Sequence, residues 1–147
     1  MRKKLLPQKR RRSREIALQL LYALDLRPDQ SPDDAFALFS SGDEDEEVIN
    51  YTEMLVKGTW GEREKIDGLI RDHVTGWRPE RMVTVDRAAL RLALYECCVK
   101  SLIPVPVAIS EAVELAKTFG TEESAKFVNG VLGKIVRALD AERESDV

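Results

Sequence analysis

A chain of 147 residues, 44% hydrophobic and 33% charged, is sized for one domain and has the composition of a folded globular protein. No apolar run nears the roughly 18 residues that cross a bilayer, and the basic start lacks the apolar stretch of a secretory signal. A cytoplasmic protein without membrane contact is expected. Charge is uneven: the first fourteen residues hold eight basic side chains and no acidic one, so a net −3 overall leaves −11 on the remainder. That asymmetry points to a polyanionic partner at the basic end.

The first helix is expected from about Lys9 to Asp25, stopping before Pro28. On a helical wheel Ile16, Ala17, Leu20, Leu21 and Leu24 share one side, the core side. Arg10 and Arg14 border it, and Arg11, Leu18 and Tyr22 lie next to one another on the face beyond Arg14. Tyr22 therefore shares a face with Arg11, roughly 16 Å further along. Such a strip can hold a single nucleic-acid strand by charge and stacking, or meet a second protein at its apolar end. The plainer alternative makes Arg10 to Arg14 a solvated helix start and Tyr22 a rim residue of the core.

Ser31-Pro32-Asp33-Asp34 is a helix start, with Ser31 as N-cap, Pro32 in the first turn and acids facing the dipole. This short second helix should end near Ser40-Ser41-Gly42. The acidic run Asp43 to Glu47 opens a longer helix with Val48, Tyr51, Thr52, Leu55 and Thr59 as its stripe. Ile66, Leu69 and Ile70 continue that stripe past a bend at Gly58 or Gly61.

Gly76 and Pro79 punctuate the middle of the chain, without a linker long enough for two independent domains. Thr84 to Lys100 reads as a helix burying Val85, Ala88, Ala89, Leu92, Ala93 and Val99. Pro104-Val105-Pro106 ends it and starts another helix through Phe119, which Gly120 caps. Thr121 caps a last helix, with Phe127, Val128, Val131, Leu132, Ile135 and Leu139 inward. The expectation is an all-α bundle of about seven helices in one domain over 1–147, flexible at 1–8 and 141–147.

Catalysis finds little support. His73 is the single histidine and reads as an exposed helix residue. No glycine-rich phosphate cradle, nucleophile elbow or metal-ligand cluster can be assembled, so neither a catalytic residue nor a metal or cofactor is expected. Cys97 and Cys98 are adjacent and read as reduced, helix-packed thiols. Glu96 lies in the middle of an apolar stripe, and a buried carboxylate needs hydrogen-bonding or ionic partners.

Five segments carry a resemblance. Arg11-Arg12-Ser13-Arg14-Glu15-Ile16-Ala17-Leu18-Gln19-Leu20-Leu21-Tyr22 resembles the opening helix of NusB-type transcription antitermination factors. Val107 to Lys117, Phe119-Gly120 and Lys126 to Leu132 resemble the family's signature, and Arg91 to Glu96 fits the helix before it. The resemblance covers nearly the whole chain. It implies a compact fold of two helical halves and a function without catalysis. It also implies binding to boxA, a short single-stranded segment of ribosomal RNA leaders, together with the small-subunit ribosomal protein that acts as NusE. RNA polymerase and other Nus factors complete the implied assembly, and some members instead form a homodimer. Position by position, Arg10, Arg11, Arg12 and Arg14 match the family's RNA-contacting arginines. Phe127 matches a position near RNA, with Lys126 beside it. Tyr22 and Asp86 match the surface for the ribosomal partner, which Leu18 could extend, and Glu123 an acid close to both surfaces. Departures are Ser110 where asparagine is common, Gly133 where an acid is common, and the cysteine pair.

Overall fold

A computed structural model describes residues 7–39, 42–76 and 78–145. Among these residues the chain forms seven α-helices: α1 (Pro7–Leu26), α2 (Pro32–Leu38), α3 (Glu46–Gly61), α4 (Arg63–His73), α5 (Thr84–Leu94), α6 (Val105–Phe119) and α7 (Glu122–Ser145). A 3-10 turn (Pro79–Arg81) precedes α5, and a π-helical turn (Tyr95–Val99) prolongs it. The two helical halves are α1 to α3 on one side and α4 to α7 on the other, joined where α1 lies on α5. One apolar core runs through both, from Ile16, Leu24 and Leu55 to Leu90, Leu132 and Ile135.

The local signals place the elements. Ser31 accepts from the Asp34 amide while Asp34 accepts from the Ser31 amide, both at 3.1 Å, a complete capping box at α2. Thr121 Oγ1 accepts from the Ser124 amide at 3.1 Å and starts α7. The bend in the third helix falls after Gly61, where Glu62 divides α3 from α4. Ser40 and Ser41, at the expected end of α2, lie outside the described residues, as do residues 1–6 and 146–147. Two expectations at the termini change: α1 already begins at Pro7, and α7 runs unbroken past Asp140 to Ser145.

Gly120 is required by close approach. A Cβ there would stand 2.7 Å from both the Ala116 carbonyl oxygen and Ser124 Oγ, so any larger residue would pry α6 from α7. Likewise a Cβ on Gly58 would run into the Tyr95 ring, which packs across α3.

Helix α1 is buried more broadly than its apolar stripe suggests. α2, α3, α5 and α6 all pack on it, and Ser13, Arg14 and Leu18 join the core beside the expected aliphatic face. Ser13 Oγ donates to the Val48 carbonyl at 2.9 Å, and Thr52 Oγ1 donates to the same oxygen at 2.7 Å. Small polar residues at that seam let α1 and α3 approach closely. At the far end of α1, Asp25 accepts from Arg87 Nε (2.8 Å) and Arg91 Nη1 (3.0 Å), and Arg91 also grips Asp67 at 2.7 and 2.8 Å. This ion network ties α1, α4 and α5 together.

The cysteines are free thiols with their sulfurs 3.4 Å apart in the π-helical turn. Hydrogen bonding from Cys97 and the nearby Arg143 charge draw Cys98 down to about 7, while the same bond and burial push Cys97 up. His73 is not the exposed residue expected. Its ring is largely covered between Leu69 and Glu142 and fastens the end of α4 to α7.

Candidate nucleic-acid interface

The arginine run occupies the first three turns of α1, where 100° steps send successive side chains to different neighbours. Arg11 and Arg12 are exposed, their side chains 58% and 46% accessible, and border a shallow depression of about 400 Å³ with Pro7, Gln8, Glu15 and Glu111. Arg12 donates from Nε to Glu44 at 2.7 Å and lies 3.7 Å from Glu15. Arg11 Nε meets Glu111 at 3.1 Å. Arg10 is half-buried, with its guanidinium 5.5 Å from the centre of the Tyr51 ring.

Arg14 departs from the expected strip. It is 3% exposed, and its fork clamps Glu96 through Nε (2.7 Å) and Nη2 (3.0 Å), with Nη1 reaching Glu111 at 3.2 Å. Burial works against the Arg14 charge, but the hydrogen bond and charge of Glu96 outweigh it and hold the guanidinium above its usual value. Tyr51 donates to Glu96 Oε2, the oxygen that also accepts from Arg14 Nη2, at 2.8 Å, and burial beside that carboxylate pushes its phenol up to about 12. Glu96 thus has the partners a buried carboxylate needs. Arg14 is spent on the core and is shielded from a phosphate in solvent, because α5 and α6 close over the side of α1 on which it lies.

Leu18 is the second correction. It is 1% exposed and forms the floor, not the rim, of a cleft of about 370 Å³ lined also by Gln19, Tyr22, Val85 and Phe119. Tyr22 is 39% exposed at the mouth, and Val83 stands out beyond it at 65%. Asp86 does not lie open on that surface: it is buried in the first turn of α5, and its Oδ1 has no hydrogen-bond partner among the described residues. Glu123 is exposed in the first turn of α7, 3.8 Å from Lys126.

Lys126 is exposed and Phe127 half-buried against the core. They border a depression with Gly130, Val131 and Lys134, separate from the one that holds Arg11 and Arg12. Helix α6 lies between, turning Glu111 toward α1 and Glu114 toward the α6–α7 groove of about 700 Å³. The structure therefore brings Arg11 and Arg12 together, sets Tyr22 at the other end of the same helix, and places Lys126 and Phe127 across α6. Sequence patterning missed Glu111, Glu44, Val85 and Phe119 at these surfaces, since each meets its neighbours through long-range packing without local periodicity.

Residues 11–137 match the model of the NusB family. The transcription antitermination protein NusB of Symbiobacterium thermophilum is 42% identical over 145 residues, covering 93% of this chain and 95% of that protein. A structure of T. maritima NusB superposes with a TM-score of 0.78 at 33% identity, covering 93% of each chain. A crystal structure of antitermination factors NusB and NusE in complex with dsRNA is similar at a TM-score of 0.80 and 29% identity. It covers 90% of this chain and 99% of its own.

Proposed function

The chain belongs to the NusB family, and from that premise we propose that it is a non-catalytic, RNA-binding transcription antitermination factor of the cytoplasm. Its RNA is a boxA-type single-stranded segment of the ribosomal RNA leader, held together with the ribosomal protein that acts as NusE. RNA polymerase and the other Nus factors are the larger assembly it serves. The observation that carries this reading is the layout of α1, with exposed Arg11 and Arg12 at one end and Tyr22 over an apolar cleft at the other. One helix can thereby engage phosphates and a protein at once. The similar NusB–NusE–dsRNA complex supports RNA and NusE as the classes of partner.

Arg11 and Arg12 are the proposed phosphate contacts, flanked by Arg10, with Lys126 and Phe127 receiving the strand beyond α6. Phosphate contacts set register, while unstacked bases against side chains such as Phe127 carry sequence preference. Tyr22 and the Val85–Phe119 cleft form the proposed seat of the ribosomal partner, with Glu123 between the two surfaces. The family's alternative of a homodimer would cover the same faces. A gel shift with boxA-containing and scrambled RNA, with and without the ribosomal partner, across a salt series tests the reading. Binding should prefer boxA, strengthen with the partner, and weaken as salt rises. Equal retention of both RNAs in every lane would overturn it.

A further inference from the structure

Among the described residues, the basic start of α1 meets acidic side chains. Lys9 Nζ lies 3.1 Å from both Asp45 Oδ2 and Glu47 Oε2. Arg12 meets Glu44 at 2.7 Å, and Arg11 meets Glu111 at 3.1 Å. Four carboxylates thus face Lys9, Arg11 and Arg12 and offset their charge. They come from the start of α3 with the two residues before it and from α6, between 32 and 100 residues away in sequence. The fold therefore carries these acids to the arginines. All three cations in these pairs keep side-chain accessibility of 33% to 58%, so the pairs are open to exchange, unlike the sealed Arg14–Glu96 clamp.

We propose that Glu44, Asp45, Glu47 and Glu111 are specificity-determining residues, an internal polyanion that RNA must displace from α1. The proposal rests on the reading of α1 as the RNA surface. A generic polyanion offers only anionic groups, so it exchanges one anion for another with little gain. A strand with unstacked bases also offers stacking on side chains, and that surplus lets it win the exchange. The acids lower affinity for every polyanion and penalise most those with nothing else to contribute, which is discrimination by repulsion. Salt weakens the internal pairs along with the phosphate contacts, so affinity falls less steeply with salt than the number of contacts alone dictates.

The test compares the full chain with E44Q/D45N/E47Q, leaving Glu111 in place because it also holds Arg14. A charge-matched control, E64Q/D72N/E80Q, neutralises acids on α4 and the 3-10 turn, where α4 packs on α3, α5 and α7. Probes are boxA RNA, scrambled RNA and heparin, with melting temperature confirming the fold. The triple variant should bind scrambled RNA and heparin about tenfold tighter, gain less on boxA, and show a steeper salt slope. The control should shift by less than about twofold. E44Q alone, which removes the nearer of the two carboxylates beside Arg12, should move in the same direction by a smaller step. Heparin affinity no tighter than the control's, or weaker scrambled-RNA binding, overturns the proposal. A wild type that treats boxA and scrambled RNA alike would sink the RNA reading, while the heparin arm still decides the role of the acids.

Discussion

Arg14 shows how one residue of a basic run can serve an opposite purpose. It sits three residues from Arg11 in the same helix, yet its guanidinium is sealed against Glu96 and Glu111. A buried pair of this kind contributes little against a well-packed apolar substitute, but removing one partner strands the other charge in the core. Arg14→Ala should therefore cost about 3–5 kcal/mol of stability, read as a lower urea midpoint at unchanged slope. Arg11→Ala breaks an exposed pair with the same Glu111 and should cost less than about 1 kcal/mol while weakening RNA binding. Equal losses of stability from the two substitutions would contradict the burial of Arg14. A charge reversal at Arg14 would also abolish RNA binding, but by unfolding the site.

The elements that punctuation and periodicity define were legible in the sequence. Ser31, Thr121 and Gly120 mark helix ends through short-range chemistry, and the α3–α4 break at Glu62 follows the glycine that announced it. The π-helical turn was not legible, because Tyr95–Val99 has ordinary helix formers and its wider coil is set by packing, Tyr95 lying across Gly58. Nor was the broad burial of α1, since a wheel assumes one covered face and this helix is covered by four neighbours. At the site, exposed Arg11, Arg12 and Tyr22 were foreseeable from spacing, whereas their acidic partners arrive from far along the chain. His73 at the end of α4 gives an element-scale prediction. Its Nδ1 donates to the Leu69 carbonyl at 2.9 Å, so a neutral ring would aim the Nε2 lone pair at Glu142, also 2.9 Å away. That backbone bond and the Glu142 carboxylate raise the His73 pKa above its usual 6.5. The pair's contribution is then complete below the unfolded value and fades as pH rises through the raised folded value. Melting temperature should drop as pH rises from about 6.5 through that raised value, and Glu142→Gln should flatten that drop. A drop of the same size in Glu142→Gln would exclude the pair as its cause.

At the scale of the molecule, α1 links two surfaces by being rigid. It contacts both halves, and ion networks pin it near each end, Arg14–Glu96 at one and Asp25–Arg87–Arg91 at the other. From Arg11 to Tyr22 the helix rises roughly 16 Å, more than a Debye length at physiological salt, so charge at one end is largely screened from the other. The proposed RNA and protein surfaces should therefore fail separately. Tyr22→Asp places a charge at the mouth of the Leu18–Val85–Phe119 cleft and removes a half-exposed aromatic anchor. It should weaken binding to the ribosomal partner by at least about tenfold and leave RNA binding by the free chain unchanged. Arg11→Ala with Arg12→Ala should do the reverse. Titrating RNA and partner separately against each variant reads both effects, and the two defects should add as free energies in the triple mutant's binding to each ligand alone. If Tyr22→Asp lowered RNA affinity of the free chain as much as loss of the two arginines does, the ends of α1 would form one continuous site. The acidic residues around the arginines would then be screening the protein partner as well as the RNA.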